Sequence, residues 1–288
     1  MYKLLALDMD GTLLNPDKIM TAGTIHSIQK LILAGTAVTI ASGRFPASVW
    51  LHAREAGMNF PLVALNGAVT LDTTTGSLLS GFPLSAADAA RLVSIVQACG
   101  AYVHFYGFNT LYVPELNEMN KRWPLANVVV HPDKELTEEN YRLQTEMIRV
   151  EAVNGEMIDF VQNSEVPVYK AAVICTDTLV LDQLLLILQN WGTFELTRTG
   201  SHRFDVNASG VNKQSALVQL CSEHGIDSSE VAAAGDYDND LAMLRWAGLG
   251  IAMGNAKTHV QAAAKVVTGS NSEDGLAQAI QRHLLFTL

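Results

Sequence analysis

Over roughly the first eighty residues, short apolar runs alternate with amphipathic stretches. Tyr2 to Leu7 is apolar and stops abruptly at Asp8. Ile25, Ile28, Leu31 and Ile32 fall at helical spacing between Thr24 and Ala34, and Gly35 ends that helix. Ala37 to Ile40 is a second apolar run, closing at Ser42-Gly43-Arg44. A helix through Trp50 and His52 ends at Gly57, and Pro61 to Leu65 then runs into Asn66-Gly67. Strand, helix, strand, helix, strand is the order of βαβ units, so the pattern predicts a parallel sheet. Right-handed crossovers put the carboxyl ends of its strands on one edge, where open α/β sheets bind ligands.

The last eighty residues or so read the same way. A helix through Ser215 to Cys221 precedes a strand from Val231 to Ala234, which runs into Gly235-Asp236. Leu241 to Trp246 is helical, Leu249 to Ala252 a strand, Val260 to Ala264 helical, Val266-Val267 strand-like, and Leu276 to Leu285 a closing helix. The middle differs. A helix over Ala86 to Ala98 leads to an apparent hairpin, Tyr102 to Tyr106 with Thr110 to Val113. Asn117 to Gln162 is polar and weakly patterned, broken by Pro124, Pro132 and Gly155. Val168 to Cys175 reads as a strand, Leu181 to Trp191 as a helix, and Thr193 to Thr197 and His202 to Val206 as two further strands. Antiparallel strands with helices on one face point to an α+β module inserted into the parallel domain, with borders near Phe82 and Val206.

Composition narrows the function classes. The chain has 288 residues, 49% hydrophobic and 17% charged, which fits one large or two smaller globular domains and excludes a disordered chain. Its net charge of -10 repels phosphate backbones and anionic lipid heads, so neither nucleic acid nor membrane is an expected partner. Cys99, Cys175 and Cys221 are far apart and show no CxxC or Cys/His pairing, so neither a disulfide framework nor a zinc site is expected. Asp8 and Asp10 interrupt the N-terminal apolar stretch that a signal peptide would need, and Asp177 and Asp182 interrupt the longest apolar run, Ala171 to Trp191. A cytoplasmic protein is the expectation.

Candidate chemistry lies at the predicted strand ends. Residues two apart on an extended backbone point the same way, so Asp8 and Asp10 are expected to aim their carboxylates into one small space. That repulsion calls for a positive neighbour, and an all-oxygen ligand set selects a hard cation, Mg²⁺ where phosphate is also bound. Gly11 permits close backbone approach to a ligand. A second acidic run, Gly235-Asp236-Tyr237-Asp238-Asn239-Asp240, also follows a strand; it lacks the glycine and distal glutamate of a calcium loop. Ser42 is either a phosphate-binding hydroxyl or the N-cap of the next helix. Lys213 opens a helix, where the dipole disfavours a cation, which hints at a ligand. Gly248 to Gly254 only brushes the dinucleotide fingerprint, and the chain holds no GxxxxGK[ST], HExxH or GxSxG motif.

Taken in order, DMDGTLL at Asp8, ASGR at Ser42, NKQSAL at Lys213 and GDYDNDLAML at Asp236 resemble the four motifs of the haloacid dehalogenase superfamily. ALNGA at Asn66 and IAMGNA after the last motif resemble its Cof-like branch of sugar-phosphate phosphatases. Serine stands at 42 where threonine is commoner, and Gln214 where glycine is usual. The resemblance implies an α/β fold: a Rossmann-like parallel-sheet core over residues 1–82 and 207–288, with an inserted α+β cap over 83–206. It implies a Mg²⁺-dependent phosphatase acting on a small phosphorylated metabolite, with Asp8 as nucleophile and Asp10 as acid and then base. Mg²⁺ would be held by Asp8, the Asp10 carbonyl and Asp236; Ser42, Gly43, Lys213 and Asn239 would bind phosphate, with Asp240 and Asn66 in support. A phosphomutase would use the same first steps, and a non-catalytic sensor would be expected to lack one of these groups. In the cap, Tyr106, Tyr112, Lys170, His202 and Arg203 are candidate substrate contacts.

Overall fold

A computed structural model describes residues 2–124 and 147–285. The backbone divides into two compact units, one of residues 1–44, 49–80 and 212–288, the other of 45–48 and 81–211. In chain order the strands of the amino-terminal part are β1 (Leu4–Leu7), β2 (Ala37–Ile40), β3 (Leu62–Ala64), β4 (Val69–Leu71) and β5 (Leu78–Gly81). The middle part supplies β6 (Tyr102–Tyr106), β7 (Thr110–Val113), β8 (Arg149–Ala152), β9 (Lys170–Ile174), β10 (Phe194–Gly200) and β11 (Arg203–Ala208). The carboxyl-terminal part adds β12 (Val231–Gly235), β13 (Leu249–Ala252) and β14 (Val266–Val267).

The first unit is built on a five-stranded sheet in the order β14-β13-β12-β1-β2, whose paired strands are parallel. Leu4 to Leu7 and Val231 to Gly235 are buried at every position. Burial on both faces is why these strands read as continuous apolar runs and not as alternating ones. The helix Ala22–Leu33 is capped by Thr21, whose hydroxyl accepts from the Thr24 N–H, and it buries Ile28 and Leu31. The helix Lys213–Glu223 buries Leu217 and Leu220 in a cluster with Leu4, Val231, Met243 and Leu244. Register places Leu7, Ile40 and Ala234 side by side, so β1, β2 and β12 deliver Asp8, Ser42 and Asp236 to the same edge.

One strand departs from the expected pattern. Pro61 to Leu65 is not a full parallel strand: β3 touches the parallel sheet through a single bridge, Ala41 to Val63, and pairs antiparallel with β4. The left-handed turn at residues 65–67 sends the chain back on itself, and β3-β4-β5 forms a separate three-stranded sheet.

The second unit holds a six-stranded sheet in the order β10-β11-β9-β6-β7-β8. Its pairs are antiparallel except β7 with β8. Helices Ala86–Ala98, Met157–Asn163 and Thr178–Trp191 contribute Val93, Val96, Val161, Leu184 and Leu188 to one core with Val103, Phe105, Val173 and Phe204 of the sheet. The polar stretch from Asn117 to Gln162 contains β8 and all but the last residue of the Met157–Asn163 helix, neither evident in the sequence; Pro132 and residues 125–146 lie outside the described residues. Elsewhere element ends move by one to a few residues. The helix over Leu181 to Trp191 begins at Thr178 because Asp177 caps it, accepting from the Leu179 and Val180 N–H groups.

Candidate active site

Past Leu7 the chain leaves strand geometry, and the site is built there. Gly11 has φ of 86°, and a Cβ on it would lie 2.3 Å from an Asp236 carboxylate oxygen, so the turn admits only glycine. Thr12 Oγ1 donates to Asp236 Oδ1 at 3.0 Å, and Asn255 Nδ2 donates to the Gly11 carbonyl at 2.9 Å. These contacts tie the first acidic motif to the second.

Asp8 is buried, and its Oδ1 accepts from Lys213 Nζ at 2.5 Å. The same ammonium donates to Asp240 Oδ1 at 2.7 Å. Asp240 Oδ2 accepts from the backbone N–H groups of Asp236 and Tyr237, both at 2.9 Å, which fixes the loop that carries Asp236. Lys213 is the first residue of its helix, held in place by a capping box between Asn212 and Ser215. Its mismatch with the helix dipole is explained by these two carboxylates.

Carboxylate oxygens of Asp8, Asp236 and Asp240 lie within 4.8 Å of one another. Three carboxylates against one ammonium leave an excess of two negative charges. The protonation of the group reflects that excess. Burial, then Asp240, push the Asp8 carboxyl well above the carboxylate range against the pull of Lys213, with Asp236 adding to the rise. Burial and Asp240 push Asp236 up to about 6, although the Thr12 hydrogen bond opposes them. Lys213 is held charged: burial works against it, and Asp240 and Asp8 outweigh that. An all-oxygen donor set, buried at Asp8 and Asp240 and half-buried at Asp236, whose ionised form carries an excess of two negative charges, fits a hard divalent cation.

The Asp10 carboxylate stands outside that group and does not share its space, contrary to the period-two expectation. The strand ends at Leu7, so alternation does not extend to Asp10. Its Oδ2 accepts from Arg44 Nε and its Oδ1 from Arg44 Nη2, both at 2.7 Å, and Lys18 Nζ reaches Oδ1 at 2.5 Å. Burial works against the charged form, yet Arg44 and Lys18 hold Asp10 well below the usual carboxylate range. Neither cation figured among the candidates. Arg44 carried a signal, being the last residue of the ASGR motif. Lys18 carried none, because it reaches Asp10 only through a left-handed residue, with φ of 64°.

Ser42 Oγ accepts from the Arg44 N–H at 3.2 Å, while the following helix starts at Pro46; the hydroxyl shapes the turn and does not cap that helix. Gly43 is packed against Asn66, whose Oδ1 would lie 2.6 Å from a Cβ there. Asn239 Nδ2 donates to Asn66 Oδ1 at 3.3 Å. In the second unit, Tyr106, Lys170 and Arg203 come together with residues the sequence did not single out. Lys170 pairs with Asp205 at 2.9 Å and sits 4.1 Å from the Tyr106 ring centroid. Arg203 stacks over Trp123. His104 is buried among them, and burial, with Lys170 and Arg203 adding to it, lowers it to about 3. Tyr112 instead packs on Phe160 in the core, and His202 is exposed in the β10–β11 turn.

A family model described as haloacid dehalogenase-like hydrolase matches residues 5–280. The chain belongs to the haloacid dehalogenase-like hydrolases. Its relatives include the 5-amino-6-(5-phospho-D-ribitylamino)uracil phosphatase YitU of Bacillus subtilis (strain 168), 27% identical over 97% of each chain. The pyridoxal phosphate phosphatase YbhA of Escherichia coli (strain K12) is 26% identical over 98% of this chain and 99% of its own. A solved haloacid dehalogenase-like hydrolase from B. subtilis superposes with a TM-score of 0.82 at 24% identity, covering 98% of this hydrolase and 100% of its own chain, a likeness of fold. Among its described residues, no helix of the hydrolase is long and apolar enough to cross a membrane.

Proposed function

We propose that this hydrolase is a cytoplasmic, Mg²⁺-dependent phosphatase of small phosphorylated metabolites, working through a phosphorylated Asp8. The observation that carries the reading is Asp8 itself, a buried carboxylate at a strand's carboxyl end, with the Lys213 ammonium bridging it to Asp240 and with Asp236 beside it. Asp8, the Asp10 carbonyl and Asp236 would hold Mg²⁺, with Asp240 supporting. When bound, the ion neutralises the acidic excess and the incoming phosphate.

Lys213 anchors one oxygen of Asp8 and so orients the carboxylate for in-line attack on phosphorus. The bond from an Asp8 oxygen to phosphorus forms as the bond to the leaving alkoxide breaks. Ser42, the Gly43 backbone, Lys213 and Asn239 would receive the charge that spreads over the equatorial oxygens. Asp10 gives its proton to the leaving oxygen, then takes one from the water that attacks the same phosphorus and frees Asp8. Arg44 and Lys18 hold Asp10 as a carboxylate, which is the form of the second half-reaction. Taking up a proton for the first half requires Asp10 to exchange one of those contacts.

The first unit, in this reading, is the catalytic core, and substrate selection belongs to the second unit, with the buried polar set around Lys170 and Asp205. Phosphate release from para-nitrophenyl phosphate, sugar phosphates, pyridoxal phosphate and a ribitylaminouracil phosphate, with and without Mg²⁺, tests the whole. Metal-dependent release without transfer to a second hydroxyl is the expected result. A fully active Asp8→Asn variant sinks the proposal.

A further inference from the structure

Leu65, Asn66 and Gly67 form an unbroken left-handed run, with φ of 50°, 60° and 103°. Glycine enters that region freely and asparagine tolerates it, but a leucine there is an outlier that its surroundings must hold. Such residues persist where neighbouring structure over-determines them, and they gather at functional sites. Here the neighbours are the loops already assigned to chemistry. The Leu65 N–H donates to the Arg44 carbonyl at 3.0 Å and the Asn66 N–H to the Ser42 carbonyl at 2.9 Å. The Asn66 side chain is buried; its Oδ1 accepts from Asn239 at 3.3 Å and leaves no space for a side chain at position 43. Gly67 packs so closely on Asn212 that a Cβ would lie 2.1 Å from the Asn212 carbonyl oxygen. Asn212 is the cap of the helix that opens with Lys213.

Three loops that leave three different elements therefore meet on one strained segment. We infer that Asn66 is a positioning residue, the hub that keeps the Ser42–Arg44 turn, Asn239 and the Lys213 helix start in register for phosphoryl transfer. It acts through its neighbours: its amide holds Asn239, and its left-handed backbone lets residues 65–67 reach Arg44, Ser42 and Asn212 together. The inference rests on the phosphatase reading, but not on which ester is the substrate. A misplacement of the order of an ångström in groups that bind the transferring phosphoryl costs about 100-fold in rate. Because the loss falls on the transition state, it enters kcat with little change in KM.

The decisive variant is Asn66→Gly in the full chain, since glycine accepts the backbone angle and removes only the amide. A purely structural asparagine would give a variant of unchanged kcat. The hub predicts a kcat on para-nitrophenyl phosphate lower by about 10- to 100-fold. It also predicts little change in KM and a thermal midpoint within a few degrees of wild type. On an Asn239→Ala background the same change should cost no more than about twofold further, because the two residues act as one unit. Hydrogen exchange, which needs no turnover, should be faster in peptides covering residues 42–44 and 239. Unchanged kcat, a loss that follows a fall in thermal midpoint, additive costs, or unchanged exchange in both peptides would each overturn the hub. Wild-type protein that releases no phosphate overturns the phosphatase reading instead, and the exchange result then decides the hub alone.

Discussion

Lys213 is where residue-level energetics and chemistry meet most closely. Its buried ammonium serves two buried carboxylates, so removing it leaves Asp8, Asp236 and Asp240 facing one another without a counter-charge. Breaking a buried ion pair from one side costs about 3–5 kcal/mol. Lys213→Met should therefore lose activity and unfold at lower denaturant in metal-free buffer, and Mg²⁺ should restore part of the stability but not the activity. Denaturant titrations with EDTA and with Mg²⁺ check this; equal stability of variant and wild type without metal would contradict it. At this scale much was legible: Asp8, Asp236, Asp240 and Lys213 stand together as their motifs implied. The partners of Asp10 were not, because period-two alternation holds only inside the strand and β1 stops at Leu7.

Elements carry the site through their ends, and helix caps show the difference between positioning and stabilising. Asn212 caps the helix that presents Lys213, whereas Asp177 caps Thr178–Trp191 in the second unit. Replacing either cap by alanine costs about 1 kcal/mol. Asn212→Ala should in addition lower kcat several-fold by loosening Lys213, while Asp177→Ala should leave hydrolysis of para-nitrophenyl phosphate unchanged. Thermal melts beside steady-state kinetics separate the two, and equal kinetic effects would remove Asn212 from the account. Strands with both faces buried, such as Leu4–Leu7 and Val231–Gly235, announce themselves as apolar runs. The three residues of Val69–Leu71, or Arg149–Ala152 with its single buried position, carry too little periodicity to be read. The left-handed residues at 65–67 turned an expected parallel strand into an antiparallel corner, a decision made by backbone angle and not by hydrophobic pattern.

For the whole molecule, the acidic cluster couples stability, pH and metal. Asp236 is raised from 3.8 to about 6, so its proton is held more tightly in the fold than in the unfolded chain. The cost to the fold is absent below pH 4 and complete above pH 6. Asp10 is shifted the other way, so the stability it contributes is intact above pH 4 and is lost only in stronger acid. Between pH 4 and 6 the acidic cluster of the metal-free protein should thus contribute a loss of stability as pH rises, while buried His104, lowered to about 3, contributes in the opposite sense over the same range. Mg²⁺ needs these carboxylates charged, so its apparent affinity should weaken as pH falls through about 6. Calorimetry at pH 5 and 7.5, with EDTA and with Mg²⁺, should show the larger metal-induced rise in melting temperature at pH 7.5. A rise independent of pH would dissociate the cluster from the metal.

The proposed chemistry depends on Asp8 taking the phosphoryl group. Mixing the enzyme with substrate and Mg²⁺, quenching in acid within the first turnover, and mapping peptides by mass tests that step directly. The expected product is a phosphorylated amino-terminal peptide with the modification on Asp8, labile to hydroxylamine and absent from Asp8→Asn. Phosphate released with no such adduct under conditions that trap acyl phosphates, or an adduct on another residue, would contradict it.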